Sequence, residues 1–257
     1  MKIYNVRITF FLFILCFAYN KTTSLKELNL QKYKTISEQC EEALDFYLER
    51  PDLEAEFFQR LSFCENIVND ISPKGYQVNP IISDFKSNLG VNGRTRMNVH
   101  QGVDIIGSAN EFIIAIANGK VLETSVTACE GPSVVIDHGV SLDNKKLITI
   151  YSHVGEFAVK EGDTVKRGDM IAKLPKKIDF PCMARVRHLH LQIGQKYCEK
   201  KEKNTWGCNF YIKDLYSSLN PNDYWADGPN KVTCFNKNRK YKDGTLTYPF
   251  KCNKIKL

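Results

Sequence analysis

The sequence predicts a mainly β protein: an antiparallel β-sheet or sandwich core, preceded by an α-helical segment and followed by a disulfide-rich tail. Three observations carry this. Between residues 98 and 194, short runs that alternate apolar and polar residues, rich in Val, Ile and Thr, are separated by Gly-containing turns. Before residue 72 the apolar spacing changes to three and four, the spacing of one helix face. After residue 197, Asn, Lys, Cys, Tyr and Trp accumulate without a clear period.

Residues 1–18 read as a signal peptide. Lys2 and Arg7 form a positive start, residues 8–17 are apolar, and Cys16-Phe17-Ala18 offers a small-x-small cleavage pattern. Cleavage after Ala18 is the first expectation and after Ser24 the second, with an uncleaved anchor as the alternative. The apolar run is short for a membrane span. Leu15 stands where a lipidation signal wants a small residue before the Cys. The expected location is therefore secreted or periplasmic, with no stable membrane insertion once the signal is removed.

Residues 19–75 form the helical segment. Cys40, Ala43, Leu44, Tyr47 and Leu48 share one helix face, Pro51 restarts the chain, and Asp52 can cap a second helix carrying Leu61, Phe63, Cys64, Ile67 and Val68. The segment is either a packing subdomain or a pro-region that covers a site until removed. Ser72-Pro73-Lys74-Gly75 is turn chemistry and marks a boundary. In the central domain, residues 80–196, strands are expected at 98–105, 112–117, 120–124, 133–137, 147–153, 170–174 and 188–193, with Val165-Lys166-Arg167-Gly168-Asp169 as a turn. The Cys-rich extension, residues 197–257, holds an expected short helix at 214–219. Its Trp206, Tyr224 and Trp225 either pack the tail, the preferred reading, or present a sugar-stacking surface.

The 257-residue chain has a formal charge of +7, of which Lys2 and Arg7 of the signal account for two, leaving about +5. That excess suits an anionic polymer or surface, and the absence of a dense basic stripe excludes a nucleic-acid partner. Eight cysteines remain after the signal: Cys40, Cys64, Cys129, Cys182, Cys198, Cys208, Cys234 and Cys252. An even number in an exported chain points to four disulfides. Cys40–Cys64 would tie the two helices, Cys198–Cys208 and Cys234–Cys252 would close local loops, and Cys129 and Cys182 would remain for each other. With no C-x-x-C pair, zinc-ribbon ligation is disfavoured.

Two stretches carry the chemistry. In His188-Leu189-His190, side chains two apart on a strand share a face. In His100-Gln101-Gly102-Val103-Asp104, the His and Asp are four apart and can also share one. Three imidazoles and a carboxylate are ligand types that zinc prefers. A catalytic zinc takes three protein ligands and keeps a position for water, so one of these four groups is left for chemistry. Of the five histidines, the fourth in this constellation is His153 in Tyr151-Ser152-His153, while His138 reads as a structural residue at a strand end.

These motifs resemble peptidase family M23, the lysostaphin/LytM-type zinc metallopeptidases. The resemblance extends through Ala117-Asn118-Gly119-Lys120-Val121, Val135-Ile136-Asp137-His138-Gly139, Tyr151-Ser152-His153-Val154 and the Val159 to Asp169 run, about 80–194 in all. It implies a central antiparallel sheet with the metal in its groove. It implies His100, Asp104 and His190 as ligands of one Zn2+, and His153 and His188 as catalytic histidines flanking the attacking water. It also implies a metalloendopeptidase acting on peptidoglycan peptides, without the Glu base of an H-E-x-x-H enzyme. The alternative is a non-catalytic zinc-binding module of the same fold that binds a partner or activates another cell-wall hydrolase. The chain departs from the family at two places. Ser83-Asp84-Phe85-Lys86-Ser87-Asn88 lacks the family's Gly and Arg at 86 and 88, leaving Arg94 or Arg96 as substitutes. Residues 175–187 replace a Gly/Thr/Ser-rich loop, and here Arg185 and Arg187 either meet substrate carboxylates or face solvent.

Overall fold

The computed structural model describes residues 73–79, 81–88, 90–91, 96, 98–183, 186–197, 212–213 and 218–255. The expected signal peptide, the helices expected before residue 72, Arg94, Arg185, Trp206, residues 214–217 of the expected short helix and the expected Cys40–Cys64 and Cys198–Cys208 pairs lie outside the described residues.

The chain runs through β1 (Tyr76–Gln77), β2 (Ile81–Ser83), β3 (Gly102–Ile106), β4 (Phe112–Ile114), β5 (Gly119–Thr127), β6 (Gly131–Val140) and β7 (Lys146–Ser152). It continues with β8 (Thr164–Val165), β9 (Met170–Lys173), β10 (His188–Gly194), β11 (Lys196–Tyr197), β12 (Ile212–Lys213) and β13 (Asn253–Lys254). A seven-stranded antiparallel sheet in the order β2-β3-β10-β7-β6-β5-β8 is the frame, flanked by the two-stranded ladders β4-β9, β1-β13 and β11-β12. Among the described residues no helix is long and apolar enough to cross a membrane.

Strand alternation divides the sheet into two faces. Val103, Ile105, Val134, Ile136, Tyr151, Leu189, Leu191 and Ile193 point into the main core, which the ladder β4-β9 covers with Ile113, Ile171 and Ala172. The tail completes the same core: Trp225, Leu246, Tyr248 and Phe250 are buried in it. Each such side chain removed from water contributes about 1.5–3 kcal/mol, so residues 218–255 are part of what holds the sheet. Trp225 packs against Tyr248, ring centroids 5.9 Å apart, as the packing reading expects. Leu219, placed by sequence at the end of a short helix, instead bridges Ile193 of β10.

The strand expected over 98–105 begins only at Gly102. Upstream, the main chain of His100 pairs with a turn, its N–H donating to Ser87 O at 3.0 Å and its carbonyl accepting from Lys86 N at 2.8 Å. Gly102 lies against the Leu191 carbonyl of β10, where a Cβ would collide with backbone. The glycine therefore lets β3 enter the sheet beside β10. The expected strand 112–117 is likewise shorter, ending at Ile114. Its continuation bonds outward, with Ala115 N donating to Asp169 O and Thr247 N to Ile116 O. Two expected disulfides are formed, Cys129–Cys182 and Cys234–Cys252.

Candidate metal centre

The polar face of the sheet is organised by register. Ser83 of β2, Asp104 of β3, His190 of β10, Ser152 of β7 and Ser133 of β6 are successive cross-strand partners in a single row. Directly opposed residues stand about 4.5–5.5 Å apart at Cβ, so Asp104 and His190 must meet. His188, two residues before His190, extends the same face, and His100 reaches it from the loop before β3.

The ligand atoms converge. His190 Nδ1 is 2.8 Å from Asp104 Oδ1, His100 Nε2 is 3.1 Å from the same oxygen, and the two nitrogens are 3.0 Å apart. His188 Nε2 lies 3.7 Å from that oxygen. The His153 ring packs edge-on to His188 at 4.7 Å and stands 6.0 Å from His190. His100, Asp104, His153 and His188 are buried, and His190 is half-buried. The structure thus brings together all five residues that the sequence singles out.

Each imidazole is held by its other nitrogen. His100 Nδ1 donates to Asp84 O at 2.9 Å, with Ser83 Oγ at 3.2 Å. His190 Nε2 donates to Gln192 Oε1 at 3.2 Å. His188 Nδ1 donates to Val186 O at 2.8 Å, and His153 Nδ1 to Glu130 O at 2.9 Å. An imidazole whose hydrogen is committed on one side offers a lone pair on the other. Two such lone pairs and a carboxylate oxygen therefore face one another, an arrangement that a cation stabilises. Donors around a tetrahedral zinc, about 2.0–2.2 Å from it, lie roughly 3.3–3.5 Å from one another. The observed spacings of 2.8, 3.0 and 3.1 Å are a few tenths of an ångström shorter, and two neutral nitrogens with one carboxylate are the right chemistry, so the residues fit zinc with a small outward shift of the donors.

The tail braces these supports. Gln192 Nε2 donates to Ser218 Oγ at 2.9 Å, fixing the amide that orients His190. Asn222 Nδ2 donates to Asp84 Oδ1 at 2.9 Å, and Asn222 Oδ1 accepts from buried Trp225 Nε1 at 3.0 Å. Asp84 is the residue whose carbonyl holds His100. The Asn220-Pro221-Asn222-Asp223-Tyr224-Trp225 stretch therefore helps to aim a ligand.

Arg96 Nη2 bonds Asp104 Oδ2 at 2.9 Å and Ser83 Oγ at 3.2 Å. It occupies one oxygen of Asp104 and leaves Oδ1 turned to the histidines. Of the arginines considered as substitutes, Arg96 is thus at the site, but on a ligand. Arg187, weighed as a substrate contact, bonds instead to the carbonyls of Pro175 and Lys176 at 2.8 and 2.9 Å.

Burial lowers His100 and His188 from the usual histidine range, and burial with the neighbouring His188 and His190 holds His153 well below it. Burial works against the Asp104 carboxylate too, yet the imidazoles of His100 and His188 hold its carboxyl well below the ordinary value. For His190, burial pulls downward, but the hydrogen bond and charge of Asp104 outweigh it and raise the ring. His153 also has a left-handed backbone, φ 63°, just after β7. A non-glycine residue there costs of order 1 kcal/mol or more, and such residues gather at functional sites. The turn carries the ring off the end of the strand, with Val154 N donating to Pro132 O at 3.1 Å.

Sequence reasoning missed Glu130 and Gln192. Glu130 is buried, and its Oε2 stands 3.4 Å from His153 Nε2. Gln192 had a legible signal, since it follows His190 by two on a strand. Glu130 had none until the Cys129–Cys182 loop was placed beside His153.

Residues 98–204 match the family model "Peptidase family M23". Among solved structures, the chain is similar to a zinc-containing peptidase from Vibrio cholerae at 28% identity over 48% of this chain and 34% of that one, TM-score 0.35. That match spans about a third of the Vibrio protein's length. It is similar to the catalytic domain of the antimicrobial peptidase lysostaphin from Staphylococcus simulans at 19% identity over 58% and 86% of the two chains, TM-score 0.36. It is similar to LytU at 22% identity over 58% and 86%, TM-score 0.40.

Proposed function

We propose that this chain, whose residues 98–204 belong to peptidase family M23, is a secreted or periplasmic zinc metalloendopeptidase that hydrolyses peptide bonds in peptidoglycan stems or cross-bridges. The observation that carries the reading is the convergence of His100 Nε2, Asp104 Oδ1 and His190 Nδ1 beside two further imidazoles on the polar face of the sheet. The Cys129–Cys182 and Cys234–Cys252 bonds support an oxidising compartment.

His100, Asp104 and His190 would hold the zinc, which would act as a Lewis acid and make water a better nucleophile at neutral pH. His153 and His188 share the proton work. One accepts the water's proton as the water oxygen bonds to the amide carbon. The other donates to the carbonyl oxygen as negative charge develops there. When the C–N bond breaks, the accepted proton passes to the leaving amine. Burial favours a neutral ring, the state in which the accepting imidazole offers a lone pair at Nε2, whereas the donating imidazole must carry a hydrogen on Nε2 as well as on Nδ1. Burial also keeps bulk water from competing for these groups.

The test joins metal analysis to digestion. The chain, expressed under oxidising conditions, is expected to hold about one zinc. Incubated with purified peptidoglycan, it should release fragments with new peptide termini, identified by mass. His190→Ala should lose both zinc and cleavage, whereas His153→Ala should lose cleavage and keep zinc. Bound zinc with no cleavage of several wall types, before and after trimming of the N-terminal segment, would replace the enzyme with a non-catalytic binding module.

A further inference from the structure

Glu130 has no part in the chemistry derived so far, yet its position is elaborately fixed. It sits on the loop between β5 and β6, next to Cys129, whose disulfide to Cys182 joins that loop to the one before β10. Cys182 N donates to Cys129 O at 3.1 Å, and Glu130 N donates to Thr127 Oγ1 at 3.1 Å. Gly131, at φ 71°, lies against the Phe180 ring, where a Cβ would collide. Two loops are thus locked together around one carboxylate, whose side chain is 11% exposed.

What the carboxylate meets is His153. The Glu130 carbonyl takes the Nδ1 hydrogen at 2.9 Å, and Oε2 stands 3.4 Å from Nε2. The second distance is too long for a good hydrogen bond, so the Nε2 lone pair stays available to the cleft. It is short enough, in a buried setting, for an ion pair once Nε2 carries a proton. Among the described residues, the other charged or titratable groups acting on the ring are His188 and His190, both from β10, and Asp104 of β3 through its charge. The corresponding nitrogen of His188 faces Asp104, which is already shared with His100, His190 and Arg96.

We propose that Glu130 is a positioning residue for the hydrolysis: its carbonyl orients His153 and its carboxylate stabilises the imidazolium formed when His153 accepts the water's proton. This rests on the peptidase reading above and deepens it, because of the two flanking histidines it assigns the base to His153. The water's proton goes to Nε2 as its oxygen bonds to the amide carbon and the carbonyl pair moves onto oxygen. The C–N bond then breaks and the nitrogen takes that proton back from Nε2. A carboxylate beside Nε2 favours the charged ring by its charge, while the Nδ1 contact that a carboxylate makes in the Ser-His-Asp arrangement is made here by the Glu130 carbonyl.

The test uses Glu130→Gln, which keeps volume and an acceptor oxygen but removes the charge, beside Glu130→Ala. With a defined peptide, Glu130→Gln should lower kcat roughly ten- to a hundredfold, part of what a general base contributes. KM should stay within about twofold and zinc at about one per chain. Independently of activity, 15N signals of the His153 ring in the zinc-loaded chain should show Nε2 protonated at lower pH in Glu130→Gln than in the parent. A kcat within about twofold of an active parent, or an unmoved His153 signal, overturns the proposal while the peptidase reading stands. A parent that binds zinc and cleaves nothing removes the peptidase reading, and this assignment with it.

Discussion

The sheet holds histidines of two kinds, and the contrast between them separates a site from a strut. His138, on β6, is buried with both ring nitrogens satisfied by the fold. Its Nδ1 donates to Asn118 O at 2.9 Å, and its Nε2 accepts from Tyr151 OH at 3.1 Å. The Tyr151 oxygen in turn accepts from Ile116 N at 3.1 Å. Each cleft histidine instead has one nitrogen held by the protein and the other directed toward its neighbours. Burial is common to both groups and lowers His138 to about 4, so neither burial nor a displaced pKa tells them apart. What differs is hydrogen-bond completeness: a fully paired ring stabilises the fold, while rings with converging lone pairs call for a ligand.

Four measurements would break or sharpen that contrast. The largest effect is expected from Asp104→Asn, which removes the one anionic ligand: zinc should fall from about one per chain to a trace, and cleavage by at least about a thousandfold. Retention of zinc by this variant would mean that the converging lone pairs serve something else. Next, Arg96→Leu frees Asp104 Oδ2 and should weaken zinc binding about ten- to a hundredfold in competition with a chelator. An unchanged affinity would reduce Arg96 to a surface partner of the cleft.

At the strut, Tyr151→Phe leaves Ile116 N–H and His138 Nε2 without their partner. It should lower unfolding free energy by about 1–3 kcal/mol in urea, with zinc affinity unchanged. Loss of zinc instead would show the two regions to be coupled through β7. The smallest effect is pH dependence. The folded His138 sits at about 4, below the usual 6.5, so the unfolded chain binds more protons as pH falls between these values. Stability from this group is present above about 6.5 and declines as pH drops toward 4. The His138 share of that decline is about 1 kcal/mol between pH 7 and 5.5. In His138→Gln this component should vanish, narrowing the gap between the two proteins as pH falls. A constant gap would contradict a neutral, fully paired His138.

Neighbouring segments differ in how far they could be read. Motif residues were legible because strand periodicity is local: the alternation of His188-Leu189-His190 fixes which side chains share a face whatever lies beside them. His138 was legible as structural for a similar reason, standing at the end of a β run. The exact start of β3 was not, since it depends on His100 pairing with the turn at 86–87 and on Gly102 lying against Leu191. Leu219 was misread as helical because its partner is Ile193, 26 positions earlier.

By itself, then, the sequence determined the mainly β class and the His and Asp set, and it narrowed the cysteine pairing without settling it, the structure then forming Cys129–Cys182 and Cys234–Cys252. These follow from local alternation, donor chemistry and cysteine spacing. Tertiary structure alone decided that Arg96 holds Asp104, that the tail's Ser218 and Asn222 brace the groups aiming His190 and His100, and that Glu130 meets His153. Those contacts join residues far apart in the chain, and their energies depend on register, burial and hydrogen-bond direction, none of which is encoded in a short window of sequence.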